Sequence, residues 1–297
     1  MKGSALWLLC TLIFIASCKK KADDTIAPPP PPPVTTADND PLLPGNPTQA
    51  QSLTSFPENY LKDNTYYKEA YSSSRGIPLW VAWHLESSDI GNTPRKDDFR
   101  GDTQLPVVWY QVQTSDYTGS NFDRGHNTPS ADRTLTVSAN SSTFLMTNII
   151  PQAPNLNQGP WAELEDYTRN TLVGTNNEAF IFMGNTGSGG YNVNGLLHTI
   201  AGGRVTVPAK IWKVILVIPK GTSDLSRIHS NATVLVVNMP NNNSLYTTSG
   251  AGRNAWRNYL TTINALEAEA NGAGVPLNLL TNLADSIKPL LKSKMYN

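Results

Sequence analysis

Residues 123–165 read DRGHNTPSADRTLTVSANSSTFLMTNIIPQAPNLNQGPWAELE. Asp123-Arg124-Gly125-His126 sets a guanidinium and an imidazole two residues apart, and in an extended segment such positions share a face. Residues 142–147 have the apolar and β-branched character of a strand, which Asn148 closes. A helix is expected over 160–172, with Pro160 in its first turn, where a missing N–H is harmless. If helical geometry already holds at Asn157, then Asn157, Trp161 and Glu165 follow one another in steps of four residues. Each step turns the side chain by about 40°, so the three would lie along one stripe, the polar groups bracketing the aromatic.

Outward from this stretch, residues 79–85 (LWVAWHL), 106–112 (PVVWYQV), 179–183, 204–218 and 233–239 also read as strands. Further helices are expected over 253–270 and 277–292, the last broken by Pro289. Strands and helices mix without a βαβ rhythm or an internal repeat. That pattern predicts an α+β domain with a largely antiparallel sheet flanked by helices. The glycine-rich segment 184–190 is followed by no Lys-Ser/Thr pair, so it reads as a loop and not as a phosphate cradle. His84, His198 and His229 show no partner pattern and read as structural or surface residues.

The N-terminus has the layout of an export signal. Lys2 supplies the positive region, and residues 4–17 (SALWLLCTLIFIAS) form an apolar run, short of the about 20 residues that a spanning helix needs. Ile15-Ala16-Ser17-Cys18 resembles a bacterial lipobox, with small residues before a cysteine that would carry lipid. Pro28 to Pro33 cannot pair in a sheet or continue a helix and favour an extended rod. The expected organisation is a signal peptide over 1–17, a lipidated Cys18 with a Pro-rich tether over 18–52, and a folded domain over 53–297. Its expected place is the cell envelope, held to the membrane through Cys18. Cys10 and Cys18 are the only cysteines, so the folded domain has neither a disulfide nor a thiolate metal site.

Basic and acidic residues balance at 23 each. A uniformly basic surface is thereby excluded, but a nucleic-acid substrate is not. An enzyme that releases its product needs only a local cluster of cations.

The polar residues of the central stretch suit phosphodiester hydrolysis. That reaction needs a base to activate water, cations on the phosphoryl oxygens and stabilisation of the departing alkoxide. Imidazole titrates near neutral pH, so His126 suits the base, and Arg124 suits a phosphate clamp. Mg²⁺ prefers oxygen ligands and keeps several waters, so the amide oxygen of Asn157, with Glu165 holding a water, forms a suitable set.

DRGH, the strand ending in Asn148, the run NLNQGPW over 155–161 and the following Leu164-Glu165 resemble the DNA/RNA non-specific endonucleases. The likeness spans roughly residues 55–290 and implies the ββα-metal (His-Me finger) nuclease fold. It also implies a metal-dependent endonuclease that cuts DNA and RNA without sequence specificity and leaves 5′-phosphorylated oligonucleotides. By this resemblance His126 is the general base and Arg124 the phosphate-binding arginine. Asn157 is the direct protein ligand to Mg²⁺ (or Mn²⁺). Glu165 holds a metal-bound water and assists the leaving group, and Asn148 stands near base and metal. An upstream arginine also contributes, assigned here to Arg95 with Arg100 as competitor. Asn127-Thr128-Pro129 departs mildly from the hydrophobic or Gln residue and Ala-Pro that usually follow DRGH. DNA and RNA are the expected partners, and no protein partner is inferable. The alternative from another class is a catalytically silent surface lipoprotein that binds extracellular nucleic acid.

Overall fold

The computed structural model describes residues 37–297. The expected signal peptide, Cys18 and Pro28–Pro33 lie outside the described residues. The strands that place the site are β1 (Tyr60–Asp63), β2 (Lys68–Ser72), β3 (Ile77–Glu86), β4 (Asp123–His126), β5 (Ile149–Gln152), β6 (Asn177–Thr186), β7 (Lys210–Pro219) and β8 (Thr233–Pro240). Six of them form one sheet in the order β1-β2-β3-β6-β7-β8, every neighbouring pair antiparallel. The expected α+β class with an antiparallel sheet is what forms.

The long strands are apolar on both faces because the sheet is buried on both. In β3, Val81, Trp83 and Leu85 join one apolar cluster, while Trp80 and Ala82 join the other. In β7, Ile211, Ile215 and Val217 alternate in the same way with Trp212, Val214, Leu216 and Ile218. This double burial explains why these segments read as continuous apolar runs, although antiparallel strands more often alternate. The first face is covered by the β4–β5 pair and the helical segment after it, through Ile149, Ile150, Leu156, Trp161 and Leu164. The second is covered by Ile263, Leu266 and Ala270 of a C-terminal helix (Ile263–Gly272) and by Leu277, Leu279 and Leu280. Burying each such aliphatic side chain is worth about 1.5–3 kcal/mol.

Several expected elements differ. Residues 106–112 form no strand, and Val107 and Val108 stand 96% and 91% exposed. Their β-branched composition met no sheet edge; Trp109 is held edge-on to Tyr60 at 5.1 Å, Tyr110 donates to Asp116, and Val112 is buried in the core without pairing. Residues 142–147 are not a strand either. A helix occupies Val137–Ser142, started by the Thr136 side chain, which accepts from the Ala139 N–H. The strand begins at Ile149, just where it was expected to have ended. The run 204–218 breaks at Pro208, which has no ladder donor, leaving Val205–Thr206 and β7. The helix expected over 253–270 is two elements. A 3-10 segment covers Gly250–Tyr259, and an α-helix starts afresh behind the Thr262 cap. Of 277–292 only Lys288–Lys292 is α-helical.

The folded unit also starts earlier than residue 53. Pro41, Pro44, Pro47, Thr48 and Ala50 are buried, and the Trp80 indole N–H donates to Thr48 Oγ1 at 2.8 Å. Turn-rich composition made this segment look like tether, but prolines pack as well as they extend. Among the described residues no helix is long and apolar enough to cross a membrane.

Candidate active site

β4 and β5 pair antiparallel, with His126 opposite Ile149 and Gly125 opposite Ile150. Only glycine fits at 125, because a Cβ there would lie 2.2 Å from Gln152 Oε1. The strand can therefore press against its partner while Arg124 and His126 project together. The His126 ring is seated edge-on to Phe144 at 4.9 Å and tilted against Phe99 at 5.3 Å. The same two aromatics carry the arginines: the Arg124 guanidinium lies 4.1 Å from the Phe99 ring centre and that of Arg95 lies 4.8 Å from Phe144. Arg95 is further fixed by Asp97 at 2.6 Å and Ser130 at 2.8 Å. Burial, and then the positive charges of Arg95 and Arg124, push the His126 pKa down from 6.5 to about 3. The imidazole is therefore neutral at physiological pH, and its Nε2 is buried with no hydrogen-bond partner.

Arg95, Phe99, Asp123, Arg124 and Asn157 line one cleft of about 450 Å³. Arg100 does not. It is paired with Asp98 at 3.2 Å and donates to the Ser141 carbonyl, beside a different, polar cavity. Of the two upstream arginines, the structure brings Arg95 to His126.

Asn157 reaches the cleft from a π-helical turn (Asn157–Trp161) between a short α-turn and the helix Ala162–Tyr167. Its side-chain amide donates to Asp123 Oδ2 at 2.8 Å, and the Gln158 amide donates to the same oxygen at 2.9 Å. Asp123 thus turns Asn157 so that its amide oxygen is left for another partner. The first residue of DRGH therefore has a positioning role that the sequence reading did not assign. The expected straight stripe does not form, because Gly159 is non-helical (φ −102°, ψ −109°). The break separates Asn157 from the residues beyond it. Trp161 is buried in the core, with the Lys213 ammonium 4.6 Å from its ring centre.

Glu165 lies one turn further on, 3.5 Å from the buried Lys213 Nζ. Burial raises its pKa, against the pull of Lys213 and Arg169. Arg169 is held by Asp132 at 2.7 Å, and Asp132 also accepts from the Trp83 indole at 2.9 Å. Lys213, Arg169 and Asp132 were not singled out from the sequence, since nothing local in β7 or the helix marks them as neighbours of Glu165. Asn148 is buried and its amide bonds are local: Oδ1 accepts from Thr128 N, and Nδ2 donates to the carbonyls of Thr128 and Thr143. It clamps the turn after His126 to the segment that carries Phe144.

The neutral amide oxygen of Asn157 and the carboxylate of Asp123 are hard oxygen donors facing one cleft. This donor set fits an oxygen-preferring divalent cation. A second group that could ligate a metal, His84 with Glu178 and Asp224, offers ligand atoms within 4.8 Å of one another. His84 and Glu178 lie on the sheet face of Phe180 and Trp80, opposite the one on which β4 and β5 pack.

Known proteins resemble this chain in sequence and fold. Residues 45–286 match the family model described as DNA/RNA non-specific endonuclease. A nuclease of a Nostoc species is 40% identical over 256 residues, covering 86% of each chain. Human mitochondrial endonuclease G is 31% identical over 172 residues, covering 54% of this chain and 56% of that protein. Among solved structures, a chain of the EndoG/EndoGI complex superposes with a TM-score of 0.63 at 19% identity, covering 83% of this chain and 92% of that one. The last comparison supports the ββα-metal nuclease fold.

Proposed function

The chain belongs to the DNA/RNA non-specific endonuclease family, and on that premise we propose that the cleft beside His126 hydrolyses DNA and RNA to 5′-phosphorylated oligonucleotides. The family is metal-dependent. The observation that carries the reading is the neutral His126, seated between Phe99 and Phe144 with two guanidinium groups beside it.

A ring nitrogen of His126 takes the proton from water as it attacks phosphorus in line. Because the imidazole is already neutral, no deprotonation of the base precedes the step. Arg124 and Arg95, stacked on their rings, meet the phosphate with guanidinium donors whose directions are fixed in advance. Asn157, turned by Asp123, and Asp123 itself would hold Mg²⁺ or Mn²⁺, which when bound supplies charge stabilisation for the phosphoryl oxygens and the leaving 3′ oxygen. Glu165, backed by Lys213, sets a carboxylate one helical turn beyond the Asn157 turn. Attack by water does not use a 2′-hydroxyl, so both sugars serve. All the residues this scheme needs are present, and nothing favours the silent binding protein. On residues 15–18, the same enzyme would be exported and anchored through Cys18.

The test uses supercoiled plasmid and single-stranded RNA, with Mg²⁺ or with EDTA, and wild type beside His126→Ala. Both polymers should be cut only by wild type with metal. RNA ends that are 2′,3′-cyclic, or cleavage that survives chelation, would refute the mechanism.

A further inference from the structure

Across the sheet from the cleft, β3, β6 and a short helix (Asp224–Arg227) bring His84, Glu178 and Asp224 together. The β3–β6 register sets His84 opposite Phe180 and Glu86 opposite Glu178, so His84 and Glu178 are diagonal neighbours on one face. His84, Glu178 and Asp224 are 4%, 1% and 0% exposed. Arg227 Nη2 binds Glu178 Oε1 and Asp224 Oδ1, leaving the second oxygen of each carboxylate. Two atoms of the cluster are fully buried and have no hydrogen-bond partner, His84 Nε2 and Asp224 Oδ2. Glu178 Oε2 lies 3.7 Å from His84 Nε2, too far for a hydrogen bond.

Charge adds an independent reason for a missing partner. Asp38 accepts from the backbone N–H groups of Ser223 and Asp224 at 2.9 and 3.3 Å, and the two buried carboxylates of Glu178 and Asp224 share the single guanidinium of Arg227. Glu86 nearby is already matched by Lys220. One guanidinium does not offset two buried carboxylates, and burying uncompensated charge is costly. A cation bound among His84, Glu178 and Asp224 would supply the missing charge.

We propose that His84, Glu178 and Asp224 bind a second divalent cation, structural in role, that ties the Asp224–Arg227 helix to the sheet. One imidazole nitrogen with two carboxylate oxygens suits Zn²⁺ better than Mg²⁺, and leaves a fourth position for water. The site is separate from the nuclease cleft and does not depend on the reading of that cleft.

The probe is Co²⁺ followed by Zn²⁺, titrated into chelator-stripped full-length protein carrying Asn157→Ala, which removes the cleft's amide donor. One equivalent of Co²⁺ should bind with visible d–d absorption and be displaced by Zn²⁺. In the same background His84→Gln and Asp224→Asn should each weaken binding by about 100-fold or more. With Asn157 intact, His84→Gln should cleave plasmid in Mg²⁺ at the wild-type rate. The assignment is overturned if folded Asn157→Ala protein binds neither metal. It is also overturned if both substitutions leave binding unchanged, or if a folded His84→Gln protein loses metal binding and cleavage together.

Discussion

His126 is a charged-state problem before it is a catalytic one. In the unfolded chain it takes a proton near pH 6.5, and in the fold only near pH 3. Between those values the unfolded state holds more protons. The stability the neutral ring contributes is therefore complete above about pH 6.5 and lost as pH falls toward 3, at up to about 1.4 kcal/mol per pH unit. Glu69 runs the other way. Burial raises it to about 7, so its contribution is present at low pH and is lost as pH climbs from about 4.5 to 7. Wild-type stability alone mixes the two, but its difference from His126→Ala isolates the histidine. Denaturant unfolding at a series of pH values should show wild type losing stability relative to the variant below pH 6.5. A pH-independent difference would mean that the imidazole is not held neutral by the fold. The same residue shows how far sequence reading reaches. DRGH is legible because four consecutive residues carry the chemistry. Phe99 and Phe144, which seat the ring, come from distant loops, and an isolated phenylalanine has no signature that separates a seat for catalysis from ordinary core. The choice of Arg95 over Arg100 needed coordinates for the same reason: both guanidinium groups stand in one irregular loop, and only its path decides which faces the cleft.

At the scale of the element, the turn at Asn157 shows why periodicity misled. A regular helix would place Asn157, Trp161 and Glu165 on one stripe, but Gly159 departs from helical angles and the π-turn frees Asn157 to meet Asp123. The cause is contact with a remote segment: a Cβ on Gly159 would lie 2.5 Å from the Thr247 carbonyl oxygen. Backbone cannot give way as a side chain can, so Gly159→Ala should cost about 1–3 kcal/mol and lower cleavage as well, by moving Asn157. Gly272 is the control. It ends the Ile263–Gly272 helix with open space around it, so Gly272→Ala should stabilise by about 0.4–1 kcal/mol and leave cleavage unchanged. Chemical denaturation paired with plasmid cleavage checks both. Equal stability effects at the two glycines would remove the close approach as the explanation. The long sheet strands were legible because burial on both faces writes an unbroken apolar run. Residues 106–112 carry similar composition and form no strand, since composition reports what a segment tolerates and pairing depends on whether an edge is near.

For the whole molecule, the sequence reading set the start of the folded domain at residue 53. Turn-forming residues up to 52 looked unfolded, yet residues 41–50 cover the sheet face of Trp80. Thr48 accepts from Trp80 and Asn59 donates back to the Thr48 carbonyl at 2.8 Å. Asn282 N bonds the Pro44 carbonyl and Asn278 N that of Pro47, so this segment also pins residues 278–282 of the C-terminal part to the same face. A chain begun at residue 53 would leave the Trp80 indole without its acceptor and uncover part of the apolar cluster on which Leu42, Leu43 and Ala50 pack. The lost hydrogen bonds count about 1 kcal/mol each and the uncovered apolar side chains about 1.5–3 kcal/mol each. Against a total stability of about 5–15 kcal/mol, that is a large share. A chain begun at residue 37 keeps every one of these contacts. Thermal unfolding should therefore give the chain from residue 53 a markedly lower midpoint than the chain from residue 37. Equal midpoints for the two truncations would mean that residues 37–52 add nothing to the stability of the fold.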